Sequence, residues 1–167
     1  KHAADRYPGR YEHWDMVELG YKANLTNIQA AMLRPQLGKL EDRRQRRQEI
    51  SLAYDAIVDA LPDVDRPSVP DDLVPARHLY TVWAPDDRRD DVLRELSSRG
   101  IGTAVNYRAI HQLTWLRDNV ELRFPLPHSE RIGARTISLP LYDQLTDDEV
   151  ERVGRELVRA VEETAGS

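Results

Sequence analysis

The fold is organised around residues 20–31, GYKANLTNIQAA, where a short polar loop runs into the start of a helix. Thr26 and Gln29 lie three residues apart, the spacing of a capping box, in which each side chain bonds to the backbone N–H of the other residue. Ile28 and Met32 follow at helical spacing and begin an apolar stripe. The stretch therefore predicts a helix that begins at Thr26.

Lys22 and Asn24 lie in the loop that leads into this helix N-terminus. Free backbone N–H groups and the helix dipole favour an anion at such a place, and the two side chains add hydrogen-bond donors. A phosphate group would suit these donors. An ordinary loop-to-helix turn uses the same residue types, so the residues alone leave both interpretations open.

The helical pattern continues to about Leu61, and Pro35 within it is expected to kink the helix or split it in two. The charged run at 41–49 contains four arginines, but acidic residues flank them. Helical spacing also disperses them around the axis, which favours a solvated helix face. Residues 62–76 contain four prolines and predict an extended linker.

Beyond the linker, alternating or apolar runs predict strands at 78–84, 101–107 and 136–141. Helical spacing predicts a short helix that ends at Gly100 and a longer one that begins with a second capping box, Thr146-x-x-Glu149. Residues 108–134 are expected to be irregular, with one helical turn near 114–119. The fold class is α/β: a short sheet covered by helices and preceded by a long kinked helical arm. The predicted division is 1–62 for the loop and arm and 63–167 for a small α/β domain.

Composition limits the possible functions. The chain has 167 residues, 40% hydrophobic and 32% charged, with a net charge of −5. That charge argues against general nucleic-acid binding, which needs a basic surface. The absence of cysteine excludes disulfides and thiolate chemistry. No apolar run could span a bilayer and no histidine pair has metal-ligand spacing, so we expect a cytoplasmic protein without a membrane segment or metal site.

Three ordered segments resemble one known family. They are the stretch 20–31, the segment 99–107 followed by His111, and the segment 138–142 with Thr146 beyond it. Together they resemble the DegT/DnrJ/EryC1/StrS family of pyridoxal-phosphate-dependent aminotransferases, which act on nucleotide-linked keto sugars. The resemblance covers only the C-terminal portion of such an enzyme. It implies the small C-terminal domain of an aspartate-aminotransferase-like (fold type I) enzyme and a homodimer.

The resemblance also implies roles for particular residues. The loop at 20–31 would reach the cofactor phosphate of the other subunit through Asn24 or Lys22. Tyr107, Arg108 and His111 follow a predicted strand, where loops commonly build small-molecule sites. Arg108 could meet the diphosphate of a nucleotide sugar and His111 a sugar hydroxyl. A surface arginine and a loop-packing histidine are the alternative.

The family's cofactor-bonding lysine belongs to a Ser-x-x-Lys segment, which this sequence lacks, and its three lysines lie in other contexts. We therefore expect an inactive C-terminal part of an enzyme that uses pyridoxal phosphate. That enzyme would move an amino group, with glutamate as the expected donor, to a nucleotide-linked keto sugar. The alternatives are a non-catalytic fragment that dimerises or binds a partner, and a regulator of the same fold that senses the cofactor.

Overall fold

The computed structural model describes residues 19, 21, 24–70 and 72–166, so Lys22 lies outside the described residues. Lys1–Gly38 and Lys39–Ser167 form two separate compact units. Within the first unit, helix α1 spans Asn27–Gly38, and none of its residues is buried.

The capping box predicted at the start of α1 is confirmed. The Thr26 backbone N–H donates to Gln29 Oε1 over 3.0 Å, and the Gln29 backbone N–H donates to Thr26 Oγ1 over 3.2 Å. Both bonds join residues three positions apart, so local sequence is enough to specify them.

The predicted long helix is divided at Lys39 rather than at Pro35. Pro35 lies inside α1, and Lys39 forms the turn before helix α2, which spans Leu40–Val58. A proline inside a helix removes one backbone hydrogen bond. Gly38, which has a low helix propensity, is the last residue before the break.

The second unit contains the remaining elements in the order helix, strand, helix, helix, helix, strand, helix. After α2 they are β1 (Tyr80–Trp83), α3 (Arg89–Ser98), α4 (Thr114–Asn119), α5 (Pro127–Arg135), β2 (Thr136–Leu139) and α6 (Asp147–Glu163). Single 3₁₀ turns lie at Ile110–Gln112 and Thr164–Gly166. The predicted helical turn near 114–119 is confirmed as α4.

The sheet consists of β1 and β2, which pair antiparallel with Tyr80 opposite Leu139 and Trp83 opposite Thr136. Tyr80 and Val82 are buried, whereas the alternate residues of β1 are partly exposed. All four residues of β2 are buried. The α/β fold class is therefore confirmed, with a short sheet and covering helices.

The predicted strand at 101–107 is wrong except at one position. Ala104 exchanges both backbone hydrogen bonds with Ser138, over 3.2 and 2.7 Å, in an isolated bridge. In this antiparallel register the next such pair would be Gly102 and Pro140. Because proline has no backbone N–H, the ladder cannot continue there.

The expectation that 108–134 is irregular also fails, because α5 occupies Pro127–Arg135. Pro127 stands in the first turn of α5, where its missing N–H costs nothing. Gly133 and the short length of the segment weaken the helical signal in the sequence. Packing against β1 supports this helix in the folded chain.

The core lies between the sheet and helices α2, α3 and α6, and α6 packs against both α2 and α3. Its fully buried members come from each of these elements: Ile50, Tyr54, Val58, Val82, Val92, Leu96, Ile137 and Leu157. Helix α2 thus belongs to the same compact unit as the sheet. The functional division into 1–62 and 63–167 stays a prediction.

Three of the four arginines of α2, Arg43, Arg44 and Arg46, are paired with carboxylates and do not form a free basic patch. Arg43 forms an ion pair with Asp143 over 2.9 Å, and Arg46 pairs with Asp147 over 2.8 Å. Arg46 also donates to the Leu145 carbonyl. These contacts join the start of α2 to the loop before α6, so the charged run has a structural role.

The capping box predicted at the start of α6 is confirmed. The Thr146 N–H donates to Glu149 Oε2 over 2.9 Å, and the Glu149 N–H donates to Thr146 Oγ1 over 3.3 Å. The backbone N–H of Thr146 and then its hydroxyl hold the pKa of Glu149 below its ordinary value of 4.5. The ionised carboxylate therefore stabilises the folded chain.

Replacing Glu149 with glutamine is expected to flatten the acid side of the stability profile. Because folding lowers the pKa of Glu149, its contribution is complete above the ordinary pKa and disappears as the pH falls through the folded value. The Tm difference between wild type and Glu149→Gln should be largest at neutral pH and shrink in acid. Glu151→Gln, an exposed change on the same helix, is the control. An equal pH response in both variants would contradict the role of the box.

Candidate functional site

A cavity of about 550 Å³ opens between the segment that follows Ala104 and helix α5. Most of the side chains around it are apolar, and few polar groups converge on it, which is typical of small-molecule sites. The lining residues are Tyr107, Arg108, Ala109, Ile110, His111, Leu116, Val120, Leu122, Leu126, Ser129, Ile132 and Gly133. The three residues predicted to bind substrate, Tyr107, Arg108 and His111, therefore line one cavity.

Arg108 is exposed at this cavity. Within the part of the chain that the structure describes, no carboxylate pairs with its guanidinium. Tyr107 is 71% exposed and lines the same cavity. An unpaired guanidinium beside an apolar cavity can bind the phosphate or carboxylate of a ligand.

His111 differs from Arg108 because its side chain is largely buried, with 13% exposed. Its Nε2 lies 3.0 Å from Oε1 of Glu130, a hydrogen bond that joins the 3₁₀ turn at Ile110–Gln112 to the first turn of α5. A carboxylate near a helix N-terminus is also favoured by the helix dipole. The contact joins His111, which lines the cavity, to α5 and fixes the imidazole ring.

Helix α5 forms the wall of the cavity opposite Tyr107 and Arg108. Gly133 allows this close approach: a Cβ added there would lie 2.4 Å from the backbone nitrogen of Ala109. No real side chain makes such a contact with backbone, so only glycine lets the two segments meet. The C-terminal end of α5 is held by Arg135, which donates to the carbonyls of Ala84 and Asp63.

Sequence reasoning missed Glu130 and Gly133 because it placed no helix at 127–135. The signal that could have found the helix is Pro127 at its first position, followed by Ser129 and Glu130 in the first turn. The contact between Glu130 and His111 spans 19 residues of sequence, and no local pattern encodes it.

A second cavity, of about 470 Å³, lies between the proline-rich linker and β1, and Tyr107 also lines it. Of its charged groups, Asp55 and Arg66 are paired with each other, and Arg77 donates to Gln48. The Tyr80 hydroxyl donates to Asp55 over 2.7 Å, and Arg66 pairs with Asp55 and Asp59 over 3.3 and 2.8 Å. Burial, followed by the hydrogen bond to Asp55, raises the pKa of Tyr80, which therefore stays protonated. This network stabilises the fold.

Asn24, predicted to meet a cofactor phosphate, is exposed and precedes the capping box of α1. Lys22, the other predicted phosphate contact, lies outside the described residues. Lys39 is the one lysine among the described ranges, and it is exposed. The described part of the chain can thus offer an amide to a phosphate, but it holds no buried lysine.

The described residues contain no group of three or more His, Cys, Asp or Glu side chains that could hold a metal ion. None of the helices in the described ranges combines the length and apolar character that crossing a membrane requires.

The model of the DegT/DnrJ/EryC1/StrS aminotransferase family matches residues 1–158. The chain belongs to this family. The resemblance noted from the three sequence segments is therefore confirmed over nearly the whole chain.

Solved structures of aminotransferases share this fold. The sugar aminotransferase CalS13 from Micromonospora echinospora is 26% identical, with a TM-score of 0.73, and the match covers 95% of this chain and 41% of that one. PseC from Helicobacter pylori, an aminotransferase involved in the biosynthesis of pseudoaminic acid, is 26% identical with a TM-score of 0.73, covering 91% and 43%. A Streptococcus pneumoniae protein solved in its PMP form is 26% identical with a TM-score of 0.78, covering 92% and 40%.

The chain therefore spans about two fifths of the length of these neighbours. The S. pneumoniae protein has also been solved in a PLP form. Pyridoxal phosphate is accordingly a cofactor of this family.

Proposed function

We propose that this chain is the C-terminal part of a pyridoxal-phosphate-dependent aminotransferase that moves an amino group from glutamate to a nucleotide-linked keto sugar. Tyr107, Arg108 and His111 bind the substrate. Arg108 takes the diphosphate of the nucleotide, and His111 takes a sugar hydroxyl. The observation that carries the proposal is the single cavity in which these three residues meet, in a chain of this aminotransferase family.

The chemistry of the cavity supports this assignment. A nucleotide-linked sugar carries two negative charges on its diphosphate and several hydroxyls on its ring. The guanidinium of Arg108 matches the diphosphate, because it forms forked hydrogen bonds to phosphate oxygens. The imidazole of His111 matches the hydroxyls, and most of the remaining lining is apolar.

The cofactor is expected to be held mainly by residues outside this chain. Pyridoxal phosphate supplies the electron sink that lets an amino group leave one carbon and join another. This chain contributes Asn24 or Lys22 to the phosphate of the cofactor bound by a second subunit of a homodimer. The lysine that bonds to the cofactor lies in the remainder of the enzyme, since this sequence lacks the Ser-x-x-Lys segment that carries it in the family.

The homodimer and a cytoplasmic location complete the proposal. Large apolar side chains that line the cavity are exposed, among them Tyr107, Ile110, Val120 and Leu122. Exposed apolar side chains of this kind support burial against the rest of a longer protein or against a second subunit. The net charge of −5 does not favour nucleic acid as a partner, and the cavity has the size of a small-molecule site.

The substitution Arg108→Met in the full-length enzyme is expected to raise the KM for the nucleotide-linked keto sugar roughly tenfold or more, because hydrogen bonds to a charged group are lost. We expect kcat to change little, since the diphosphate is remote from the reacting carbon. The measurement is steady-state transamination with glutamate as donor and added pyridoxal phosphate.

Arg117→Met on α4 is the matched control, because Arg117 is exposed, pairs with Asp118 and does not line the cavity. An equal KM for both variants would show that Arg108 does not bind the substrate.

The alternative functions have different outcomes. A full-length protein that binds pyridoxal phosphate but transaminates no keto sugar would favour a regulator of the same fold. A protein that only dimerises would favour the non-catalytic alternative. Turnover by the 167-residue chain alone would refute the claim that the lysine lies elsewhere.

A further inference from the structure

The contact between His111 and Glu130 carries information about the ligand, because it restricts which nitrogen of the ring can donate. The Nε2···Oε1 distance is 3.0 Å, within hydrogen-bond range. An ionised carboxylate only accepts hydrogen bonds, so Nε2 must carry the proton. A neutral imidazole has one donor and one acceptor nitrogen, which leaves Nδ1 as an acceptor.

Nδ1 has no hydrogen-bond partner among the residues that the structure describes, and the ring lines the cavity. Since 13% of the His111 side chain is exposed, the ring is held by its surroundings and by Glu130. Among the described residues, the buried side-chain atoms without a hydrogen-bond partner are Arg99 Nε and Ser138 Oγ, so Nδ1 of His111 is open to the cavity and a partner can reach it from there. A ligand in the cavity is the natural source of that partner.

Glu130 is placed to hold the ring in one orientation. It lies in the first turn of α5, and α5 is held at its other end by the buried side chain of Arg135. The close contact between Gly133 and Ala109 fixes the same helix against the segment that carries His111. The carboxylate and the imidazole are therefore presented by two elements that are packed against each other.

We propose that Glu130 is a positioning residue that keeps His111 protonated on Nε2, so that Nδ1 accepts a hydrogen bond from the ligand. The cavity then selects ligands that present a hydrogen-bond donor at this point, such as a sugar hydroxyl. The choice of a sugar hydroxyl rests on the proposed function, whereas the orientation of the ring rests on the contact with Glu130.

The first test needs no turnover. In the full-length protein labelled with ¹⁵N-histidine, long-range ¹H–¹⁵N correlations recorded over a series of pH values report which nitrogen of the neutral His111 ring carries the proton. We expect Nε2–H in wild type and a mixture of both forms in Glu130→Gln, because an amide can donate as well as accept. Nδ1–H in wild type would overturn the proposal.

The second test measures the effect on the ligand. Glu130→Gln is expected to raise the KM for the nucleotide-linked sugar about three- to tenfold with kcat unchanged, since a neutral hydrogen bond replaces a charge-assisted one. His111→Leu should raise KM at least as much, and the double variant no further. Glu121→Gln, an exposed change in the loop before α5, is the control and should leave KM unchanged.

A panel of substrates in which each sugar hydroxyl in turn is replaced by fluorine, which cannot donate, separates positioning from simple structural support. For the wild type, we expect one member of the panel to have a higher KM than the others. In Glu130→Gln this difference in KM should be smaller. A KM raised by His111→Leu but not by Glu130→Gln would overturn the role of Glu130. Absence of turnover in wild type would defeat the proposed function, and the ¹⁵N result would then decide the orientation by itself.

Discussion

Replacing Arg135 with methionine is expected to lower the free energy of unfolding by about 3 kcal/mol. The Arg135 side chain is 7% exposed, and it donates to the carbonyls of Ala84 and Asp63. Methionine fills a similar volume but donates no hydrogen bond. The carbonyl of the buried Ala84 would lose its donor, which costs about 1–3 kcal/mol, whereas water can replace most of the hydrogen bond to the exposed Asp63.

The carboxylates around Arg135 contribute less than these carbonyls. Asp65 and Asp86 lie 2.9 and 3.2 Å from the guanidinium, but their side chains are 52% and 73% exposed. Water can solvate both after the substitution, so each ion pair adds little. The loss of stability is therefore expected to depend only weakly on salt concentration.

Arg131→Met provides the matched control on the same helix. Arg131 is 64% exposed and lies 3.9 Å from Asp65, so its removal is expected to cost less than about 0.5 kcal/mol. Urea denaturation of the three proteins measures the difference. Equal stability of Arg135→Met and Arg131→Met would show that the buried hydrogen bonds of Arg135 contribute nothing.

The substitution Gly133→Ala is expected to destabilise the protein by about 2 kcal/mol and to weaken substrate binding. Alanine is favoured over glycine in a helix by about 1 kcal/mol, so without a clash the variant would be more stable. The added Cβ, however, would lie 2.4 Å from the backbone nitrogen of Ala109. Because backbone cannot rotate away, α5 and the segment at 107–111 must separate, which also moves Arg108 and His111.

Gly154→Ala tests whether the backbone contact is the cause. Gly154 also lies within a helix, α6, and an added Cβ would lie 2.2 Å from Cδ1 of Ile57. That atom is the end of a flexible side chain that can adopt another rotamer, so the expected change is within about 1 kcal/mol. The measurements are urea denaturation and the KM for the sugar. A Gly133→Ala variant as stable as wild type would mean that the two segments are not held together.

The part of the candidate site that could be predicted from the sequence is the part that is local in the chain. Tyr107, Arg108 and His111 lie within five residues of one another, so a short turn is enough to bring them to one cavity. Glu130 and Gly133 face them from a helix that begins 16 residues after His111. Their position depends on how α5 packs, which periodicity alone does not determine.

The same distinction explains which elements of the fold were predicted correctly. Helices α1 and α6 begin at capping boxes, whose bonds join residues three apart. The strand predicted at 101–107 depended on pairing with a distant partner. That pairing does not extend from Ala104 back to Gly102, because Pro140 has no N–H to donate.

By itself the sequence determined the family, the α/β class, both capping boxes and the residues of the loop at 107–111, because each depends on residues that are close along the chain. Only the tertiary structure decided that α5 forms a wall of the cavity, that Arg135 at the end of this helix is buried and that Glu130 meets His111. These contacts join segments separated by tens of residues. Such contacts form only when the packed core brings the two segments together, so no local pattern of residues specifies them.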